Sequence, residues 1–264
     1  MNLTIYYRHT SASRSLGKSR PAWFSHEICF ANLLQSILQH GGRDAIRLEA
    51  LFDGTQEDLQ NDFLSTYFSS ENDNHERISA VARVRMIKGG NQIAAWRACM
   101  AEASKDLQSS DGNRMLYFLE NDYLHTPNWI EEFLSLCASN VPFDYISFYD
   151  HGDKYTPLYR NLRSKIFFSG THHWRTVPST CWTFLMSERT FKRDYLYFKY
   201  VERDRRNFPF LTKWLGRTLL TPMPGLSTHS AEALLSPGVD WGAVAEQARA
   251  DANLLKRQRK AGGA

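Results

Sequence analysis

The chain has 264 residues, of which 42% are hydrophobic and 23% are charged, and its formal net charge is +4. This length suits one large domain or two small ones, and the ordinary charged fraction argues against intrinsic disorder. No apolar run approaches the roughly 18–20 residues that span a bilayer, so we do not expect an integral membrane protein. The first residues lack the basic and apolar regions of a secretory signal, so none is expected.

Cysteine usage and charge narrow the class of protein further. The four cysteines are widely spread without a C-x-x-C pair, which argues against a zinc cluster or a disulfide scaffold and favours a cytoplasmic location. They are Cys29, Cys99, Cys137 and Cys181. The mild positive charge suits an anionic ligand such as a nucleotide, but it is too small to indicate nucleic-acid binding. The aromatic content of 13% is high for a chain of this size.

The N-terminal part is predicted to contain two strands and one helix. A buried strand covers residues 3–8, and a polar loop follows at 9–20. Apolar residues three and four apart then form one face of a helix that ends at the glycines after His40. This face comprises Phe24, Ile28, Ala31, Leu34 and Leu38. The second strand, 45–55, ends in Asp53-Gly54-Thr55.

The next segment continues the alternation of strand and helix. Residues 69–77 are polar and predict a surface loop, and 78–87 predict a strand. After an interruption at 88–91, a second helical face is formed by Ile93, Trp96, Met100, Ala103 and Leu107. An apolar strand at 114–122 has a polar end. Pro127 then introduces a short helix with the face Ile130, Phe133, Leu134 and Cys137.

The C-terminal part has a less regular pattern. Residues 143–155 predict a strand with an acidic end, whereas 156–200 are aromatic and basic without a clean period. A short strand and loop at 220–230 precede a last helix, whose face is Val244, Ala248, Ala252 and Leu255. The basic tail at 256–260 is typical of a solubilising, frayed terminus, and nucleic acid or an anionic membrane surface are its alternative partners.

This order of elements predicts an α/β fold with a mostly parallel central sheet flanked by helices. Ligands of such sheets bind at the carboxyl ends of the strands, where carboxylates follow three of the predicted strands. These carboxylates are Asp53, then Glu120 and Asp122, then Asp150 and Asp153.

The segment Glu120-Asn121-Asp122 is the most informative of these strand ends. Carboxylates two residues apart beside a turn suit a hard divalent cation that is shared with substrate phosphates. Such a cation neutralises charge on a departing diphosphate. The alternative interpretation is an acidic loop that caps the following helix.

Two other segments also have a double interpretation. Asp53-Gly54 is typical of a turn, but its carboxylate also suits ribose hydroxyls. Gly89-Gly90-Asn91 precedes a helix and offers backbone N–H groups to an anion, or it is an ordinary helix cap. Neither the Walker loop nor the G-x-G-x-x-G motif is present, so a Walker NTPase or a Rossmann dehydrogenase is not indicated.

Taken together, these segments resemble the nucleotide-sugar-binding half of GT-A-fold glycosyltransferases, especially the family 2-like group. Residues 145–155, 172–184 and 224–241 extend the resemblance to a bacterial and phage subset. The resemblance implies one GT-A-like domain over 1–264, with a nucleotide-sugar-binding half (1–142) and an acceptor half (143–264). It implies a metal-dependent, inverting transfer from a nucleotide-diphosphate sugar, above all a UDP-sugar, with Mn²⁺ or Mg²⁺ as cofactor.

The resemblance also assigns roles to residues. The implied metal ligands are Asp122, His229 and Glu120, although Glu-Asn-Asp departs from the usual D-x-D element at its first two positions. The implied nucleotide-sugar-binding residues are Arg8, Asp53, Gly89, Gly90, Asn91, Arg97, Glu120 and Asn121. The implied general base is Asp204, with Glu202 as second candidate. A surface histidine and a solvated, salt-bridged helix face are the alternatives for His229 and for residues 202–206.

The acceptor is expected to contact the aromatic middle of the chain. Aromatic faces stack on sugar rings or bases, and hydroxyl groups bond to an acceptor, whereas the alternative is a core edge with buried tryptophans. The candidate acceptor-binding residues are Asp150, His151, Trp174, Arg175, Ser179, Thr180 and Trp182.

The sequence leaves the acceptor and two further function classes open. The acceptor is a glycan, a lipid-linked glycan or a hydroxymethylated base in DNA, for which the Arg-containing aromatic middle would supply stacking and phosphate contacts. Asn121, in the middle of the acidic element, keeps a catalytically inactive nucleotide-sugar or glycan-binding module as an alternative. A metal-dependent nuclease or phosphatase ranks last, because such enzymes usually need denser Asp/His clusters.

Overall fold

The computed structural model describes residues 2–11, 19–40, 45–108, 110, 112–200 and 204–257, with the backbone alone for 204 and 205. Its strands are β1 (Asn2–His9), β2 (Ala45–Asp53), β3 (Ala82–Ile87), β4 (Arg114–Glu120), β5 (Tyr123–His125), β6 (Tyr145–Ile146), β7 (Ile166–Phe168), β8 (His173–Thr176), β9 (Phe184–Ser187), β10 (Leu219–Met223) and β11 (Ser227–His229). Its α-helices are α1 (His26–His40), α2 (Gln56–Gln60), α3 (Phe63–Phe68), α4 (His75–Val81), α5 (Gln92–Asp106), α6 (Trp129–Ala138), α7 (Glu188–Tyr200), α8 (Asp204–Pro209) and α9 (Trp241–Leu255). Across these residues, no helix has the length and apolar character that a membrane crossing requires.

The described residues contain one large sheet with the strand order β3-β2-β1-β4-β9-β6-β10-β8-β7. From the parallel and antiparallel pairings, seven of its strands run in one direction, and β8 and β9 run against them. The predicted α/β fold with a mostly parallel central sheet flanked by helices is therefore confirmed. The carboxyl ends of β1, β2, β3 and β4 lie side by side, and we call this side of the sheet the carboxyl edge.

The core has a layer on each face of this sheet, because side chains alternate along a strand. In β1, Leu3, Ile5 and Tyr7 join the layer that contains α1, whereas Tyr6 joins the layer that contains α5. Aromatic rings fill both layers and pack mainly edge to face, as Tyr117 and Phe148 do with ring centroids 5.3 Å apart. Much of the unusual aromatic content is therefore core packing.

The observed element boundaries differ from the predicted ones around two strands. Residues 78–81, predicted as strand, are the last turn of α4, which begins at His75 inside the predicted loop. Ile78 is the buried residue of α4, so one apolar side chain supports a short helix there. The strand predicted at 143–155 is limited to β6, and residues 152–155 form a 3-10 turn.

Helix α7 lies in the region for which no regular pattern is predicted. Its buried face includes Phe191, Asp194 and Phe198, which are three and four residues apart. A carboxylate occupies one position of this row, which breaks the apolar periodicity that sequence patterns detect. The structure compensates that carboxylate with charged partners from outside the row, Arg193 and Arg217.

Buried histidines predict a loss of stability in mild acid. His125 in β5 is fully buried with its Nε2 atom 2.9 Å from the Tyr117 hydroxyl oxygen, and burial lowers the pKa of His125 to about 3. The unfolded chain takes up this proton below pH 6.5, so folding loses free energy as the pH falls from 6.5 toward 3. Going from pH 7 to pH 5 is expected to cost about 2 kcal/mol through His125.

Urea unfolding of the wild type and of His125→Gln at both pH values checks this expectation. His26, whose pKa burial lowers to about 4, adds a contribution of the same sign and remains in the variant. The wild type should therefore lose about 2 kcal/mol more than the variant between pH 7 and pH 5. An equal loss in the two proteins would contradict the assignment to His125.

Candidate functional site

A cleft of about 380 Å³ opens at the carboxyl edge, beside the ends of β1, β2, β3 and β4. It is lined by Arg8, His9, Thr10, Arg20, Asp53, Ile87, Gly90, Asn91, Gln92, Ala95, Glu120, Asn121 and Asp122. Residues far apart in the chain meet here because parallel strands end at the same edge of a sheet. Seven predicted site residues line the cleft: Arg8, Asp53, Gly90, Asn91, Glu120, Asn121 and Asp122.

Asp53 organises the turn that leads into α5. Its carboxylate accepts hydrogen bonds from the backbone N–H of Gly89 at 2.8 Å and of Gly90 at 2.8 and 3.0 Å. Asn91 caps α5, because its side-chain oxygen accepts from the N–H of Ala94. The N–H groups of the two glycines, predicted to meet a ligand anion, are therefore occupied by Asp53 in this structure.

Gly89 leaves no room for a side chain in this turn. A Cβ atom there would lie 2.5 Å from Asp53 Oδ2 and 2.8 Å from the Cα atom of Ala95, which is backbone. Gly89→Ala is therefore expected to lower the free energy of unfolding by about 1–3 kcal/mol. Chemical denaturation measures the change.

Gly152→Ala is the matched control, because the Cβ atom would meet its nearest neighbour at an ordinary 3.8 Å. We expect the control to stay within about 0.5 kcal/mol of the wild type. Equal stability of the two variants would contradict the close packing of Gly89 against Asp53 and α5.

Asp122 and His229 meet through a small second sheet. β5 pairs antiparallel with β11, so Tyr123 lies opposite His229, and Asp122 directly precedes this pairing. The Nε2 atom of His229 is 2.8 Å from Asp122 Oδ2, and both side chains are almost fully buried. The pairing of two short strands therefore explains how positions 122 and 229 come into contact.

Arg20 is a cleft residue that the sequence analysis did not identify. Its guanidinium donates to Asp122 Oδ2 at 2.9 Å and to the carbonyl oxygen of Ser230 at 2.6 Å. It also lies over the Phe24 ring, with the guanidinium carbon 4.3 Å from the ring centroid. Arg20 lies at the end of a polar loop with no motif around it, so its sequence neighbourhood carries no signal for this position.

A second arginine, Arg8, also lines the cleft, next to the acidic segment Glu120-Asn121-Asp122. It is 3.5 Å from Glu120 and donates to the carbonyl oxygen of Trp182 at 3.2 Å. The other polar neighbours of Glu120 are Gln92 and Thr183. The cleft thus combines two guanidinium groups with three carboxylates, and each guanidinium group is paired with one of these carboxylates in this structure.

The donors present fit a divalent cation that the protein shares with a ligand. Within the described residues, no group of three or more His, Cys, Asp or Glu side chains could hold a metal ion by itself. Asp122 and His229 supply an oxygen and a nitrogen within 2.8 Å of each other. Divalent cations take carboxylate oxygens and complete their shells with substrate phosphates and water. In this structure Asp122 Oδ2 also accepts from Arg20 at 2.9 Å, so Arg20 would have to move before that oxygen could hold a cation.

The predicted acceptor residues fall into two groups. Five of them are polar and lie beyond β6, and the two tryptophans lie in the core. Asp150 accepts from Arg175 at 2.6 Å and from the Tyr155 hydroxyl at 2.5 Å. Ser179 contacts Lys154, and Thr180 donates to Ser147 at 2.7 Å. His151 is 3.0 Å from Asp153.

The two predicted acceptor tryptophans belong to the core. Trp174 is fully buried in β8, and Trp182 is 6% exposed with its ring stacked on Trp96 at 4.5 Å. A buried ring has no face left for a sugar, so both side chains support packing in this structure, which is the alternative given above.

Of the three remaining predicted residues, the structure describes the side chain of Arg97 alone. Arg97 is on the exposed side of α5 and does not line the cleft. Glu202 lies outside the described residues. The backbone of Asp204 begins α8, but its side chain lies outside the described part. The general base therefore stays a prediction.

Comparison with known proteins gives weak structural similarities and no sequence match. No protein-family model matches the chain. No curated protein matches it either. Among solved structures, S. aureus TarS 1-349 has a TM-score of 0.46 and 11% identity, covering 95% of this chain and 65% of TarS 1-349.

Two further solved structures are similar over most of their length. CMP:2-keto-3-deoxy-manno-octonic acid synthetase complexed with CTP has a TM-score of 0.45 and 12% identity, covering 95% of this chain and 98% of that one. The inositol-1-phosphate CTP transferase from T. maritima has a TM-score of 0.44 and 8% identity, covering 93% and 96%. Likenesses of this size carry no conclusion about the fold family or the chemistry of this chain.

Proposed function

We propose that this protein is a glycosyltransferase that moves a sugar from a nucleotide-diphosphate sugar to a hydroxyl acceptor. The observation that carries the proposal is the meeting of Asp53, Glu120 and Asp122 in one cleft at the carboxyl edge, with His229 against Asp122. These residues come from three separate parts of the chain, and together they give one site three carboxylates beside a histidine. The arginines of the cleft add the charge that a diphosphate requires.

The leaving group sets the main chemical demand on the cleft. Departure of a nucleoside diphosphate builds negative charge on phosphate oxygens, and positive groups held in place stabilise that charge. Arg8 and Arg20 line the cleft and supply two guanidinium groups. Asp122 and His229 would hold Mn²⁺ or Mg²⁺, which supplies Lewis-acid stabilisation of the diphosphate when bound. In this structure Arg20 donates to Asp122. When Asp122 holds a metal ion, the Arg20 guanidinium would be displaced and would then be free to turn to a phosphate oxygen.

The acceptor side of the proposal rests on the residues beyond β6. Asp150 and Arg175 are buried, so they would support the partly exposed His151 and Ser179, which would contact the acceptor. Asp204, with Glu202 as second candidate, would remove the proton of the acceptor hydroxyl in an inverting displacement. A glycan, free or lipid-linked, is the acceptor class we propose. A hydroxymethylated base in DNA is tested as the other class.

A donor screen tests the proposal. The protein is incubated with a panel of nucleotide sugars and released nucleoside diphosphate is measured, with Mn²⁺, with Mg²⁺ and with EDTA. One donor, a UDP-sugar first of all, should be hydrolysed slowly or transferred, with a rate at least about tenfold lower in EDTA. Glycan and hydroxymethylated-DNA acceptors are then added in separate reactions.

Each outcome of this screen decides a different part of the proposal. If EDTA leaves turnover unchanged, the proposed metal dependence is wrong, and Arg8 and Arg20 alone stabilise the charge of the leaving diphosphate. Donor binding in calorimetry without turnover on either acceptor class would contradict catalysis and identify a binding module. Absence of both binding and turnover over the whole panel would contradict the proposed function.

A further inference from the structure

A second, larger cavity of about 640 Å³ lies away from the cleft, and we call it the basic groove. Its lining contains four cationic side chains and no carboxylate. The four are Arg163, Lys165, Lys213 and Arg217. The chain as a whole carries 32 basic and 28 acidic residues, so four cations without an acid in one groove is a strong local imbalance.

The strand directions place the basic groove at the opposite edge of the sheet from the cleft. β10 starts at Leu219, and β7 starts just after Lys165. Both strands run in the same direction as β1, whose carboxyl end faces the cleft, so their first residues lie at the other edge. β8 runs against them and ends at Thr176, which brings it to the same place. The basic groove is therefore a separate feature, which the proposed catalytic residues do not explain.

The charges in the groove are incompletely balanced by the protein. Asp194 binds one Nη atom of Arg217 at 3.0 Å, while the Nε atom of Arg217 is buried without a hydrogen-bond partner among the described residues. Within the same described part, no carboxylate lies within ion-pair distance of Arg163, Lys165 or Lys213. Cationic side chains that line one groove repel one another, and a bound anion lowers the energy of this repulsion.

The remaining lining residues of the basic groove favour a ligand that is larger than a single ion. Phe167, Val177 and Leu219 form an apolar wall, and Asn161 and Thr218 add polar side chains. A groove that combines spaced cations with an aromatic ring suits a ligand with several phosphate groups, since cations bind phosphates and rings support bases or apolar parts. We infer that the basic groove binds a ligand carrying two or more phosphate groups, either a free polyphosphate or a phosphodiester chain.

Two probes and matched variants test this inference. Inorganic tripolyphosphate is titrated by calorimetry, and a fluorescent 12-nucleotide single strand is titrated by anisotropy. The double variant Arg163→Gln/Lys165→Gln should bind the probe with an affinity at least about tenfold lower than that of the wild type, because each phosphate contact contributes to affinity. Both residues are exposed, so the fold should be retained. Lys105→Gln, an exposed lysine of α5, is the control and should bind like the wild type.

Tripolyphosphate could also enter the carboxyl-edge cleft, so Arg20→Ala is measured in parallel. Saturable binding that the groove variant weakens and Arg20→Ala does not would support the inference, whether or not any nucleotide sugar is used. Binding of tripolyphosphate alone identifies a free polyphosphate, and binding of the strand identifies a phosphodiester chain. The inference is overturned if neither probe saturates, if Arg20→Ala alone removes binding, or if Lys105→Gln weakens it equally.

Discussion

Asp122→Asn is expected to lower the proposed sugar transfer by about 10²–10³-fold, because it removes the negative charge that a shared cation would need and that faces Arg20 and His229. The change keeps the size of the side chain, and the amide oxygen can still accept one hydrogen bond from Arg20 or His229. Most of the loss should therefore appear in turnover. The measurement is nucleoside-diphosphate release with the donor found in the screen, over a range of Mn²⁺ concentrations.

Glu131→Gln is the control for this experiment. Glu131 lies on α6 with its side chain 61% exposed, and it also loses one negative charge when changed. It should transfer sugar like the wild type. Asp122→Asn should unfold at a lower temperature than the wild type, because its buried carboxylate pairs with Arg20, so turnover of both variants is compared well below that temperature. Wild-type turnover in Asp122→Asn would show that Asp122 holds neither the metal nor the leaving group.

Asp194→Asn is expected to lower the free energy of unfolding by about 3 kcal/mol, because it removes the negative charge of a buried carboxylate that pairs with two arginines. The Asp194 carboxylate is fully buried and accepts from the Tyr145 hydroxyl at 2.5 Å, from Arg193 at 2.6 Å and from Arg217 at 3.0 Å. Burial raises the pKa of Asp194, but the hydrogen bonds from Arg193, Tyr145 and Arg217 outweigh it, and the pKa lies below its usual value. Because Arg193 and Arg217 are partly exposed, the expected loss is at the lower end of the range for buried pairs.

The pH dependence gives this prediction a second readout. A carboxyl group with a lowered pKa in the folded state stabilises fully above its unfolded pKa of 3.8, and this contribution disappears as the pH falls through the folded value. The deficit of Asp194→Asn relative to the wild type should therefore be constant at neutral pH and shrink in strong acid. Glu246→Gln, an exposed position on α9, should show no deficit. A deficit that is equally small in both variants would contradict the role of Asp194.

The elements that local patterns define were predictable. The strand at 3–8, the helix that carries Trp96 and Met100, and the last helix all appear where periodicity places them. Each depends on neighbours within one or two turns or on alternation along one strand, which a window of sequence contains. Helix α7 was not predicted, because Asp194 occupies a position where periodicity expects an apolar residue. One of the two arginines that pair with Asp194, Arg217, lies 23 positions away, outside any such window.

The α/β class and the acidic strand ends Asp53 and Glu120 to Asp122 could be predicted, because strand patterns and the residues after them are local. The contacts of those residues could not be predicted, because their partners are distant in the sequence. The pairing of β5 with β11 brings His229 to Asp122 across 107 positions, and Arg20 reaches the same carboxylate from a loop without a motif. Trp174 and Trp182 became core residues for the same reason. Burial and long-range contact depend on how the strands order in the sheet, and that order is set by packing over the whole chain.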